Sequence, residues 1–140
     1  MKLWFNLFCR DIETQLQFYQ ALLHLPEAAG TRSPIYRAVE TEHFQLGFNA
    51  HGAYALLGLA DRERSAGSAD PVTGYATFML DSPDAVTAAS AMAVQLGGRM
   101  VKPPYATYYG QWQAVLADPE DHVFRLSAFG LPDGTLARAP

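Results

Sequence analysis

Few residues in this chain could do chemistry. The four histidines, His24, His43, His51 and His122, form no HxH or HxxxH pair, and Cys9 is the only cysteine. No CxxC pair, Cys/His metal motif or intramolecular disulfide can therefore be read from the spacing. Cys9 has no histidine near it in sequence to take its proton, so it reads as a small core hydrophobe rather than a nucleophile. The residue that needs a reason is Arg125, which stands among Val123, Phe124 and Leu126 in the stretch 118-DPEDHVFRLSAF-129. Burying an unpaired guanidinium costs several kcal/mol unless an acceptor meets it. Three destinations are open: solvent at the rim of a cavity, a carboxylate among Glu13, Glu40 and Glu42, or an anionic ligand.

The elements that must position such a residue follow from periodicity. Lys2–Cys9 reads as a strand, and Asp11 as the N-cap of a helix in which Ile12, Leu16, Tyr19, Leu22 and Leu23 recur at helical spacing until Pro26 stops it. Strands are predicted over Tyr36–Glu40 and Phe44–Asn49, around the polar turn Thr41, Glu42, His43. Then AYALLGLADRE is compatible with a short helix, and RSAGSADPVTG is loop chemistry. The opening pattern returns with a strand in YATFML, the cap Ser82, Pro83 at the first helical position, and a helix closed by Gly97 and Gly98. An aromatic loop, 103-PPYATYYG-110, leads to a hairpin of QWQAVLAD and HVFRLSAF about the turn Asp118–Asp121. The order of elements amounts to an internal duplication of a βαβββ unit.

Alternation along strands sorts the side chains by face. Phe5, Leu7, Cys9, Phe44, Leu46, Phe48, Ala76, Phe78, Leu80, Trp112, Ala114, Leu116, Phe124 and Leu126 suit the face under the helices. The opposite face takes Trp4, Asn6, Phe8, Gln45, Gly47, Asn49, Tyr75, Thr77, Met79, Gln111, Gln113, Val115, Val123, Arg125 and Ser127. Aromatic walls with a few convergent polar groups are what small-molecule sites are made of. The expected ligand-binding set is Trp4, Asn6, Phe8, Gln45, Asn49, Tyr75, Thr77, Gln113 and Arg125, with Tyr105, Tyr108 and Tyr109 of the aromatic loop either covering the mouth or contacting a second copy. The competing reading makes Trp4 and Tyr75 fillers of a collapsed cavity, and lets Asn6, Gln45 and Gln113 satisfy one another.

Composition narrows the partners. The 140 residues carry a net charge of -4, with ten basic residues scattered, which gives no footprint for nucleic acid or an anionic membrane surface. The apolar run at the N-terminus is ended by Arg10 and Asp11, too early for a signal peptide or a membrane span. A cytoplasmic setting is expected. At 49% hydrophobic the chain can bury a sizeable core as a single domain over 1–140, with module one about 1–60, a linker about 61–72, module two about 73–130 and a tail over 131–140.

The strings FCRDIETQLQFYQALLHLPE and GGRMVKPPYATYYGQWQAVLADPEDHVFRL, with the element order between them, resemble the glyoxalase/bleomycin resistance/dioxygenase (vicinal oxygen chelate) superfamily over about residues 3–128. The resemblance implies an α+β fold of two βαβββ modules forming a curved mixed sheet around a central cavity, and a homodimer. In enzymes of that superfamily a divalent metal is held by His, Glu or Gln on four strands. Carried onto this chain, those positions are Trp4, Gln45, Tyr75 and Arg125. Tryptophan is not a metal ligand, a neutral phenol with a pKa of about 10 is a poor one, and a guanidinium repels a cation. The expectation is therefore no metal and no cofactor. Asp121 also stands where the family's turn usually has Gly. The function implied is metal-free binding of a drug or an aromatic or anionic metabolite. The alternatives are a metal-dependent lyase, isomerase or dioxygenase that recruits His51 or Glu63 to Gln45, and a ligand-free scaffold; glyoxalase I activity is disfavoured.

Overall fold

The structure is a computed structural model that describes residues 1–65, 71–137 and 139; part of the predicted loop RSAGSADPVTG lies outside the described residues. The chain divides into two compact units, Met1–Pro71 and Val72–Pro140.

In the first unit, strand β1 (Leu3–Phe8) leads to helix α1 (Ile12–Leu23), then β2 (Tyr36–Glu40), β3 (Phe44–Asn49) and the short helix α2 (Gly52–Leu56). Asp11 starts α1 by accepting from the backbone N–H groups of Glu13 at 3.1 Å and Thr14 at 3.0 Å, which satisfies two donors that have no partner inside the helix. The helix stops at His24, a non-glycine residue in the left-handed region with φ 54°. Its apolar face buries Leu16, Phe18, Tyr19 and Leu22. Tyr19 lies against Phe48 of β3 with ring centroids 5.3 Å apart, and burying side chains of this size contributes roughly 1.5–3 kcal/mol each. The sheet runs in the order β1-β3-β2, with β1 parallel and β2 antiparallel to β3. An ion-pair set ties the helix to the sheet, since Glu13 accepts from Arg37 Nε at 2.6 Å and from Arg32 at 2.8 Å.

The second unit holds the complete βαβββ order: β4 (Ala76–Met79), α3 (Pro83–Gln95), β5 (Arg99–Ala106), β6 (Gln111–Ala117) and β7 (Val123–Phe129). Its sheet runs β4-β7-β6-β5, with β4 parallel to β7 and the other pairs antiparallel. Ser82 Oγ caps α3 through the Ala85 N–H at 3.1 Å. At the other end Gly97, with φ 97°, allows Gly98 N–H to reach Ala93 O at 2.9 Å, the left-handed stop expected from the Gly-Gly pair. Val86 and Ala93 of α3, with Ala114, Leu116, Phe124 and Leu126 of the sheet, are fully buried. Trp112 Nε1 donates to Thr87 Oγ1 on α3 at 2.9 Å, so the indole faces the helix as alternation requires.

Two details differ from the sequence reading. Residues 103–106 are strand, not loop: Pro103, Pro104 and Tyr105 belong to β5, whose pairing with β6 is irregular between Met100, Lys102 and Tyr105. Prolines are tolerated there because β5 is the outer strand and need not donate on both sides. In the first unit the two strands predicted after the helix are present, one short of the three in a βαβββ unit, and an isolated bridge, Glu27 with Val39, lies beside them, flanked by Ala28 N–H to Ala38 O at 2.9 Å.

Candidate functional site

In the second unit the β4–β7 register places Thr77 beside Arg125. Arg125 Nε donates to Thr77 Oγ1 at 3.0 Å and Nη1 to the Tyr109 hydroxyl at 3.5 Å. Its Cζ lies 5.1 Å from the centre of the Tyr75 ring, a cation–π distance. None of the described carboxylates of its own unit pairs with Arg125; Glu13 and Glu40, weighed as its partners, are engaged within the first unit by Arg32, Arg37 and Lys2. Next to Arg125 runs a chain of neutral groups. The Tyr109 hydroxyl donates to Gln113 Oε1 at 2.8 Å, and Gln113 Nε2 donates to the Tyr105 hydroxyl. Lys102 Nζ stands 3.7 Å over the Tyr105 ring. Lys102, Tyr105, Tyr108, Tyr109, Gln113 and Arg125 line a cleft of about 390 Å³. Tyr108 meets Tyr109 edge-on at 4.8 Å.

Behind this row, the β6–β7 hairpin fixes which side chains reach it. Val115 faces Arg125 and Gln113 faces Ser127 across the ladder, and Ser127 Oγ donates to Gln111 Oε1 at 2.8 Å. The turn that sets this register is built by Asp118, whose Oδ1 accepts from the N–H groups of Glu120 at 2.9 Å and His122 at 3.0 Å. Asp121 takes the left-handed conformation, φ 70°, that Gly would otherwise supply.

The first unit carries its own polar row. Gln45, 1% exposed, gives its amide N–H to Glu40 Oε2 at 3.2 Å, and Lys2 Nζ holds the same oxygen at 2.6 Å. Because Gln45 Nε2 is committed to a carboxylate, Oε1 must face the Tyr36 hydroxyl, which donates to it at 2.8 Å. A hydroxyl has one proton, so the Asn6 amide 3.1 Å from Tyr36 Oη satisfies both groups only by turning its NH₂ toward the phenol. Burial raises the Tyr36 pKa, with the Glu40 charge adding to it. The Lys2 and Gln45 hydrogen bonds lower that of Glu40. Gly47 lies beneath: a Cβ there would collide with Tyr36 Oη and Asn6 Oδ1.

The sequence-derived candidates thus fall into two groups, described within their own units. Tyr75, Thr77, Tyr105, Tyr109, Gln113 and Arg125 are joined by the contacts above, and Tyr108 lines the same cleft. Asn6 and Gln45 are joined through Tyr36. Trp4 pairs in register with Gln45, and Asn49 with Phe8 and Tyr36. Phe8 stacks on Tyr54 of α2 with centroids 3.8 Å apart. Trp4 and Tyr75 are about half exposed, 51% and 53%, so neither fills a sealed core. Three residues of these rows were missed. Tyr36 was missed because no face was assigned to β2, although alternation puts it with Glu40; Lys102 because Pro103 and Pro104 disguised its strand; Tyr54 because its contact with Phe8 is non-local.

The four positions that the resemblance gives to metal ligands hold an indole, an amide, a phenol and a guanidinium. Gln45 is the only one of these with a ligating oxygen free of a proton, and that oxygen is bonded to Tyr36. His51 and Glu63 bond to each other. This donor set does not fit a divalent ion.

Residues 3–127 match the family model described as a glyoxalase-like domain. The chain belongs to this family. Among solved structures, a glyoxalase/bleomycin resistance protein/dioxygenase family enzyme from Burkholderia phytofirmans is 38% identical, with a TM-score of 0.82 over 89% of this chain and 95% of that one. A glyoxalase-related enzyme from Fulvimarina pelagi has a TM-score of 0.76 at 17% identity, covering 99% of both chains. A lactoylglutathione lyase from Agrobacterium tumefaciens has a TM-score of 0.65 at 12% identity, over 91% of this chain and 92% of that one. At those last two identities only the fold is shared. A comparison with curated proteins finds no match. The α+β fold of the glyoxalase-like superfamily, expected from the family resemblance, is thus the fold of this chain. No helix among the described residues is long and apolar enough to cross a membrane.

Proposed function

We propose that this glyoxalase-like chain is a metal-free binding protein for a small aromatic or anionic molecule, working as a cytoplasmic homodimer without nucleic-acid or membrane partners. The observation that carries the reading is Arg125: a guanidinium held by Thr77, Tyr109 and the Tyr75 ring, with no carboxylate partner among the described residues of its own unit, at the wall of a tyrosine-lined cleft. A charge at the wall of a concavity without a described counter-ion is offset when an anion enters. Within the second unit the proposed binding residues are Tyr75, Thr77, Tyr105, Tyr108, Tyr109, Gln113 and Arg125; within the first they are Trp4, Asn6, Phe8, Gln45 and Asn49, each set taken in its own unit. Metal-dependent lyase or dioxygenase chemistry would need ligands that Trp4, Tyr75 and Arg125 cannot provide.

The test combines elemental analysis of the purified protein with a thermal-shift screen of small aromatic acids and a methylglyoxal–glutathione assay. The expected result is less than about a tenth of an equivalent of divalent metal per chain, a raised Tm with at least one acid in proportion to its saturation, and no turnover. About one tightly bound divalent ion per chain, with activity that a chelator abolishes, would replace the reading by the enzyme one. Light scattering should give a mass twice the 15.3 kDa of the chain.

A further inference from the structure

The hydrogen bonds that line the cleft of the second unit have a direction. A guanidinium can only donate, so where Arg125 Nη1 meets the Tyr109 hydroxyl, 3.5 Å away, the phenolic oxygen is the acceptor. That turns the Tyr109 proton to Gln113 Oε1 at 2.8 Å. Gln113, 2% exposed, spends its Nε2 on the Tyr105 oxygen. With Gln113 as its donor, the Tyr105 hydroxyl keeps its own proton to give to a molecule in the cleft. A permanent cation thus orders the row from one end, and each donated bond strengthens the next. Lys102, over the Tyr105 ring at 3.7 Å, adds a second positive charge on that side.

The cleft therefore presents the guanidinium of Arg125, the ammonium of Lys102 and the hydroxyl of Tyr105, all of them able to donate, and no carboxylate side chain stands among its described lining residues. We infer that the cleft is a receptor for an aromatic carboxylate, whose two oxygens are met by Tyr105 and Arg125 while its ring lies among the tyrosines, and that Gln113 is the positioning residue that sets the Tyr105 hydroxyl as a donor. The inference rests on the binding reading above and narrows it to one ligand class. The rings of Tyr105, Tyr108 and Tyr109 offer an aromatic body a surface to lie on, which inorganic phosphate has no ring to use. The relay also makes the donor pattern of the cleft depend on one buried amide. In Gln113→Glu, an ionised carboxylate accepts from both tyrosines, so the Tyr105 proton turns inward and the cleft loses that donor.

Calorimetric titration of the full chain with benzoate, benzyl alcohol and inorganic phosphate tests this. Wild type should bind benzoate at least about tenfold more tightly than benzyl alcohol, the worth of a hydrogen bond to a charged group. Y105F, which keeps the ring and removes the donor, should weaken benzoate about tenfold and leave benzyl alcohol within twofold. Q113E should do the same. Benzyl alcohol binding as well as benzoate, or Y105F within twofold of wild type for benzoate, would overturn the inference while leaving a binding protein. Phosphate binding as tightly as benzoate would overturn the choice of a carboxylate. Wild type binding neither benzoate nor benzyl alcohol, while other acids raise its Tm, would overturn the inference alone; no response to any acid would remove both.

Discussion

Gly47 shows how one missing methyl group can organise a polar row. Its position on β3 opposite Asn6 and Ala38 brings three strands' backbones together, and the space over its Cα is filled by the Tyr36 hydroxyl and the Asn6 amide. The glycine is there for close approach, since its backbone is not among those with positive φ. A methyl group must displace Tyr36 from Gln45, leaving a buried amide oxygen short of its donor. Gly47→Ala should therefore destabilise the fold by about 1–3 kcal/mol, the usual range for overpacking, as read from the midpoint of urea unfolding; an unchanged midpoint would mean that Tyr36 moves aside freely. Arg125 and its neighbours on the second sheet were legible at this scale because period-two alternation needs no knowledge of partners. Tyr36 was equally accessible to that rule. What no rule of spacing could supply is the direction of each hydrogen bond, which depends on which groups lie within about 3 Å.

Elements start where a side chain takes over the unpaired N–H groups of the first turn. The caps Asp11 and Ser82, the stop at Gly97 and Gly98, and the hairpin around Asp118–Asp121 stand where the sequence placed them, because each is a local device with a fixed chemical requirement. Asp11→Ala should cost about 1 kcal/mol. It should also change the acid limb of stability. The Asp11 carboxyl is held below its usual range, first by the backbone hydrogen bond from Thr14 and then by that residue's hydroxyl. A depressed carboxylate contributes stability above its unfolded pKa and loses it as pH falls through the folded one. The variant's unfolding free energy should thus differ from wild type near neutrality, and the difference should shrink below about pH 4. A difference independent of pH would assign the loss to packing. The elements that were not legible are those set by tertiary context. β5 carries two prolines that argue against strand, and the bridge at Glu27 is a strand worn down to one residue pair.

On the scale of the whole molecule, duplication was readable in the order of elements, and the two copies have diverged in what their sheets offer. One copy devotes its polar row to self-satisfaction, ending on the Lys2–Glu40 ion pair; the other leaves donors facing a cleft. In the proposed binding function, specificity would be carried mainly by the second copy. The prolines of β5 have a consequence for the protein in solution as well. An outer strand is a template on which another chain can crystallise its own backbone, and a row of free N–H groups invites it. Pro103 and Pro104 have none to offer, and the ladder beside them is already broken. The outer edge of β5 is thus a poor template for another strand. Replacing both prolines by valine should leave the fold of the chain intact but produce rising light scattering on mild heating; a variant as clear as wild type after the same heating would show that the edge is guarded by something else.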